Sequence, residues 1–395
     1  MAKIIYLDYA ATTPVDPEVL RAMLPYLKED YGNPSSVHYF GQRARIGVEA
    51  SREKLARFLH CLPEEIIFCG SATEANNLAI TGLLKPYISK AKKRHIVTTQ
   101  IEHHAVLEPY KELEDQGVVV TYLPVNRDGL VNVFELEKAI TADTVLVSIM
   151  YANNEIGTIQ PIAKIGKILE SKSREFKTKI FFHTDAVQAV NYLDCNVVNL
   201  GVDLLTLSAH KIYGPKGVGV LYVKKGTPLV PIIYGGGQEK NLRSGTENVA
   251  GIVGLGAAIE NVIKQKGKVK KTLKLRDRLI KEIIKKIPEV LLNGSLSERL
   301  PNNINFSFKG AEGEAIVIAL DQEGIAVSTG SACSSKSLEP SNVLMSLGLS
   351  EQEAHTSLRI SLGRYTTESE INKFLKVLTK TITRLRKISG YRIVA

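Results

Sequence analysis

Cysteine is scarce in this chain. Its four residues, Cys61, Cys69, Cys195 and Cys333, form no C-x-x-C pair, so neither a disulfide framework nor a structural zinc site is indicated. No secretory leader is expected either: Met1 to Asp8 has no extended apolar run or cleavage site, and Asp8 arrives too early for one. The most apolar long stretch, Val249 to Ile263, is interrupted by Glu260 and Asn261 and is too short to span a bilayer. These absences predict a cytoplasmic protein with no membrane partner. No internal repeat or low-complexity tract is visible, and 44% hydrophobic with 23% charged residues is ordinary for a globular protein.

What is present begins with length. The 395 residues are enough for two or three domains and for a core on both faces of a sheet. The net charge of +10 gathers partly in Lys264 to Lys286, where basic and apolar residues alternate at helical spacing. This predicts an amphipathic helix with a solvated basic face, in preference to direct nucleic-acid binding; an acidic protein or a tRNA is the alternative partner.

The stretch Leu205 to Val223 reads as strand, polar tip, turn and second strand. The first apolar run ends in Ser208, His210 and Lys211, and Gly214, Pro215 and Gly217 make the turn. A lysine at the end of a buried strand is favoured as a neutral amine and hence as a nucleophile toward an aldehyde. A solvated loop cation is the plainer reading. Asp185 favours the first, because it ends another apolar run, Ile180 to Asp185, with Gln188 close behind. Pyridoxal phosphate needs a lysine for its aldehyde and a carboxylate for its ring nitrogen, and two neighbouring strand ends would supply both.

The same pattern of polar tips after apolar runs recurs along the chain. Glu65 to Cys69 leads through small residues to Thr73 at a helix start, which suits an anion such as phosphate or serves simply as a cap. His95 to Thr99 leads to His103 and His104, which would point to opposite sides of an extended segment. One of them would lie over an aromatic cofactor, or both would be surface residues. Thr144 to Met150 leads to Asn154. Short β-rich runs alternating with helices such as Ile162 to Ser171 predict a mainly parallel sheet covered on both faces, with ligands beyond the carboxyl ends of its strands.

The last third starts a new alternation, with a strand at Asn303 to Phe308 and a helix at Gly313 to Glu323. Around Cys333 the run of Ser, Gly and Ala is too small and polar to pack, which predicts an exposed, mobile loop displaying a thiol. Arg359 falls on a later strand, as a salt-bridge partner or as a bidentate clamp for a carboxylate.

Several motifs occur in a fixed order: YLDYAATTPVDP from Tyr6, GNPSSVH from Gly32, ATEANN from Ala72, EHHAVL from Glu102, NNEIG from Asn153 and HTDAVQ from His183. SAHKIYGPKG from Ser208, RSGT from Arg243, SACSSKSLEPS from Ser331 and SLRISLGRYTT from Ser357 follow. In this order they closely resemble the cysteine desulfurases of the NifS/IscS type, class V-like members of the fold-type-I pyridoxal-phosphate superfamily.

The resemblance implies an α/β fold with a mainly parallel seven-stranded sheet in a large domain, 15–262, and a smaller α+β domain from 1–14 and 263–395 that carries the Cys333 loop. It implies that Lys211 bonds the cofactor's aldehyde, Asp185 pairs with the ring nitrogen, Gln188 contacts the ring hydroxyl, and His103 stacks on the ring and moves protons. Thr73, Ser208 and His210 would hold the phosphate, with Thr246 reaching it from the partner in a homodimer, and Ala72 would also bind the cofactor. Asn154, also at the cofactor, and Arg359 would receive the carboxylate of L-cysteine.

Cys333 would take the sulfur as a persulfide, leave alanine, and deliver the sulfur to an iron-sulfur scaffold protein or another acceptor, including routes to thio-cofactors and thiolated tRNA. No resident metal is expected, with transient contact to a cluster through Cys333 as the exception. The tail Leu385 to Ala395 departs from that of the housekeeping members, where it docks the scaffold, so the resemblance does not assign the acceptor. A selenocysteine lyase or related class V aminotransferase is the rival expectation; it would share Lys211 and Asp185 without requiring Cys333.

Overall fold

In a computed structural model of the chain, residues 4–88, 94–329 and 339–392 are described, and Cys333 lies outside them. The strands, in chain order, are β1 (Ile5–Tyr6), β2 (Ile66–Cys69), β3 (His95–Thr99), β4 (Val119–Leu123), β5 (Thr144–Ser148) and β6 (Phe181–Asp185). They continue as β7 (Leu204–Ser208), β8 (Gly219–Val223), β9 (Val290–Leu292), β10 (Asn303–Phe308), β11 (Ile325–Ala326) and β12 (Ser357–Ser361).

Seven strands form one sheet in the order β2-β8-β7-β6-β5-β3-β4. The pairs from β7 through β4 are parallel, and only β8 runs against its two neighbours. The mainly parallel seven-stranded sheet of the α/β fold is therefore present. Its near-continuous apolar strands follow from burial on both faces. Phe182, Leu205 and Val220 belong to one core, whereas Phe181, Leu204 and Leu221 belong to the core on the opposite face.

A separate core joins Ile5 and Leu7 to Leu279, Phe306, Ile360 and Phe374. It is built on the antiparallel sheet β12-β10-β9 and the parallel pair β1-β11. The basic stretch divides into a short 3-10 turn at Lys266–Lys268 and the helix Val269–Lys286, which buries Leu275, Leu279 and Ile283 against this core. Its lysines lie largely on the remaining face, as amphipathic spacing requires. No helix among the described residues is long and apolar enough to cross a membrane.

One local expectation needs correction. His103 and His104 do not sit on an extended segment: His103 caps the helix His104–Asp115, its Nδ1 accepting the Ala105 amide at 3.1 Å. A free helix amide needs an acceptor, and this requirement turns the chain immediately after β3. His104 is left exposed beside Glu108, 3.3 Å away.

Candidate active site

The adjacent parallel strands β6 and β7 end side by side, with Asp185 opposite Thr206 in register and Ser208 closing β7. From Ser208 the chain enters the 3-10 turn Ala209–Lys211, and Tyr213 then adopts a left-handed φ of 67°. That conformation is unfavourable for a bulky residue and needs outside support. The Arg364 guanidinium lies 3.7 Å from the Tyr213 ring centroid, and the Arg364 amide donates to the Tyr213 hydroxyl at 2.7 Å. The turn bearing Lys211 is thus clamped.

Lys211 Nζ donates to the carbonyls of Ala10 at 2.6 Å and Ala11 at 2.8 Å. Gln188 Nε2 donates to the same Ala10 carbonyl at 3.0 Å. The strand end is buried as expected, yet the amine itself meets polar backbone contributed by the amino-terminal segment. Neither carbonyl was legible as a partner, because two hundred residues separate them from the lysine.

Asp185 is buried, and its oxygens accept from Asn76 Nδ2 at 2.7 Å and from the Val187 amide at 2.9 Å. Asn76 is wholly buried one turn into the helix Ala72–Ile88, and its Oδ1 has no hydrogen-bond partner among the described residues. Sequence reasoning missed Asn76, although its spacing from Ala72 places it on the sheet-facing side of a helix.

His103 lies between these groups electrostatically. Burial lowers its pKa, the charge of Asp185 opposes that effect, and Lys211 and His104 lower it further. Since Nδ1 accepts a backbone amide, the neutral ring carries its proton on Nε2. Below it, Glu102 is almost fully buried, with Oε1 accepting from Thr99 at 2.7 Å and from the Met150 amide at 2.9 Å. Burial pushes the Glu102 pKa up to about 8.

The amino end of the helix Ala72–Ile88 presents Ala72 and Thr73 beside the sheet. A Cβ on Gly219 of β8 would lie 2.4 Å from the Ser71 carbonyl carbon, so only glycine permits this approach. His210 Nδ1 pairs with Thr12 Oγ1 at 3.1 Å, and its pKa falls to about 4, through burial first and then the charges of Lys211 and Lys216. Thr246 is exposed and belongs to a different segment, anchored by the Arg243 to Glu74 ion pair at 2.7 Å.

Arg359 on β12 is buried, donating from Nη1 to the Asn154 carbonyl at 3.2 Å and from Nη2 to Asp8 Oδ1 at 3.0 Å. Of the two expected carboxylate receptors, Asn154 meets Arg359 through its backbone. The plainer salt-bridge reading of Arg359 is realised, with Asp8, while Nε has no partner among the described residues.

A ring with a phosphate arm suits this donor set. A buried carboxylate and an amine stand at adjacent strand ends, with hydroxyls and a helix amino terminus to one side. Fold and donor set together define the class-V aminotransferase arrangement, and the model of the family "Aminotransferase class-V" matches residues 5–374.

The chain is 53% identical over 393 residues to the cysteine desulfurase IscS of Dictyoglomus turgidum, covering 99% of this chain and 98% of that one. A solved NifS-like protein superposes with a TM-score of 0.90 at 40% identity, covering 96% of this chain and all of that one. A structure described as SspA in complex with cysteine gives 0.79 at 39% identity, covering 92% of this chain and 100% of that chain. The chain belongs to the cysteine desulfurases of the class-V aminotransferase family, whose members generally work with pyridoxal phosphate.

Proposed function

We propose that this chain takes sulfur from L-cysteine, releasing L-alanine and leaving a persulfide on Cys333, with pyridoxal 5'-phosphate held between Lys211 and Asp185. The observation that carries this reading is the placement of those two side chains at the ends of neighbouring parallel strands, within electrostatic reach of His103. When bound, the cofactor supplies an aldehyde that bonds amines and a protonated ring that stabilises the electron pair left when a Cα–H bond breaks.

The chain's own residues divide the remaining work. Asp185, oriented by Asn76, holds the proton on the ring nitrogen, and Gln188 contacts the ring hydroxyl. Ser208, His210, Ala72 and Thr73 hold the phosphate, with Thr246 contributing from the second subunit of a homodimer; its exposed position suits that role. A pKa near 4 leaves His210 uncharged at neutral pH, so it acts as a hydrogen-bonding group.

Arg359 binds the cysteine carboxylate through N–H groups that Asn154 and Asp8 leave open, and the Asn154 side chain assists. Lys211 Nζ removes the Cα proton. His103 Nε2 exchanges protons with the substrate thiol, and its lowered pKa keeps the ring neutral and available as a base. The Cys333 thiolate then forms an S–S bond as the Cβ–S bond breaks; the electron pair stays on the carbon side, a proton completes the methyl group, and Lys211 returns a proton to Cα to give alanine.

The persulfide passes to a scaffold protein for iron-sulfur clusters or to another thiol acceptor, in the cytoplasm. The separate core around Phe306 and Phe374 supports a division into 15–262 and a smaller unit of 1–14 with 263–395. The test is alanine and sulfide production from L-cysteine under reductant, comparing the loaded protein with Cys333→Ala. Equal amounts of both products from the parent, and neither from a variant that still binds cofactor, support the reading. A variant as active as the parent moves the assignment to a lyase or aminotransferase.

A further inference from the structure

Asp8 opens a short strip of chain that reaches both functional cations. It holds Arg359 Nη2 at 3.0 Å, and two and three residues later the carbonyls of Ala10 and Ala11 hold Lys211 Nζ. The strip is fastened to the strand that carries Arg359. Ser361 donates its amide to the Leu7 carbonyl at 2.7 Å, and the Ala10 amide donates to Ser361 Oγ at 2.8 Å. On the other side Leu7 donates to the Ala326 carbonyl at 2.8 Å, and the Tyr6 hydroxyl donates to the Asp8 carbonyl at 3.0 Å. Asp8 therefore has its backbone fixed two positions along β12 from its partner's anchor.

We propose that Asp8 is a built-in counter-carboxylate for Arg359 and sets how tightly the site holds the α-carboxylate of substrate and product. This rests on reading Arg359 as the carboxylate receptor. A guanidinium carries five N–H donors and one positive charge. The Asn154 carbonyl takes one N–H of Nη1 and Asp8 one N–H of Nη2, leaving the buried Nε and the remaining N–H groups for an incoming carboxylate.

Because the Asp8 backbone is fastened, its carboxylate stays in place when the second one arrives. One cation then faces two anions, and the attraction for the newcomer is reduced by the repulsion between them. Glu155, buried on the loop after β5, is also within electrostatic reach of Arg359, but burial pushes its pKa up to about 7, so near neutral pH it carries only part of a charge. L-cysteine and L-alanine carry the same carboxylate. Asp8 thus loosens both, which favours exchange of product for substrate at the cost of affinity.

Asp8→Asn removes the charge while keeping an oxygen for Nη2, and Asp8→Ser repeats the neutralisation with a smaller group. The measurement is equilibrium binding of L-alanine to the cofactor-loaded protein, followed by calorimetry or by the cofactor's absorbance, with 2-aminoethanethiol as a carboxylate-free comparison. Expected is L-alanine binding tighter by roughly three- to tenfold in a folded neutral variant, with 2-aminoethanethiol unchanged. Unchanged or weaker L-alanine binding in both variants overturns the proposal. Arg359→Ala is measured alongside. If it binds L-alanine as well as the parent does, the receptor reading itself is wrong; if it loses binding while the Asp8 variants show no gain, only the counter-carboxylate role is lost.

Discussion

Asn76 donates to the Asp185 carboxylate at 2.7 Å from a fully buried position. The helix that presents Ala72 and Thr73 at its amino end therefore also orients the acid on β6, so the two ends of the proposed cofactor site share one rigid support. In Asn76→Ala the buried carboxylate loses a donor. We expect cofactor affinity to fall by about tenfold, equivalent to about 1.4 kcal/mol, as titrated by visible absorbance. An affinity equal to the parent's counts against Asn76 as an orienting group.

Lys211→Ala takes the lysine donor from the Ala11 carbonyl, leaves the Ala10 carbonyl with Gln188 Nε2, and removes the amine placed just beyond the end of β7. Borohydride treatment of the loaded variant should leave no cofactor covalently attached, as measured by mass, and desulfuration should cease. Trapping at the parent's level in this variant would refute the assignment of Lys211.

Glu102 has a folded-state pKa of about 8 against an ordinary 4.5, chiefly because burial penalises its charge. A carboxyl raised in this way contributes stability that is complete below about 4.5 and is lost as the pH rises through about 8. The parent should therefore lose stability relative to Glu102→Gln across that window, by up to about 1.4 kcal/mol per pH unit. Urea midpoints for both proteins at pH 5 and pH 8 give the comparison; parallel changes in the two proteins mean that Glu102 titrates normally.

Gly219→Ala places a methyl group 2.4 Å from the Ser71 carbonyl carbon and 2.5 Å from its oxygen. Both neighbours are backbone, so the turn at Gly70 to Ala72 must shift. Expected is a loss of about 1–3 kcal/mol in stability together with weaker cofactor binding. A melting temperature matching the parent's would show that the turn yields freely.

Much of the scaffold is legible in the sequence because burial on two faces forces the strands into unbroken apolar runs. Asn303 to Phe308 and His95 to Thr99 are strands at those bounds, and Asp185 and Ser208 end theirs. Lys211 and His103 stand out because they follow such runs, and Arg359 because a charge inside a buried strand is costly unless it is paired. The helix beginning at His104 was not legible, because a histidine cap is chemically permissible but is not a typical signal for a helix start.

The sequence by itself determines the alternation of strands and helices, the residue types at the strand ends and, through its ordered motifs, the family, since these depend on local periodicity and composition. Pairing across long separations is decided by the tertiary structure alone. Asp8 meets Arg359 across 351 residues, Ala10 meets Lys211 across 201, and Asn76 meets Asp185 across 109. The physical reason is that a hydrogen bond needs partners about 3 Å apart, a condition set by how the sheets pack together, on which spacing along the chain is silent.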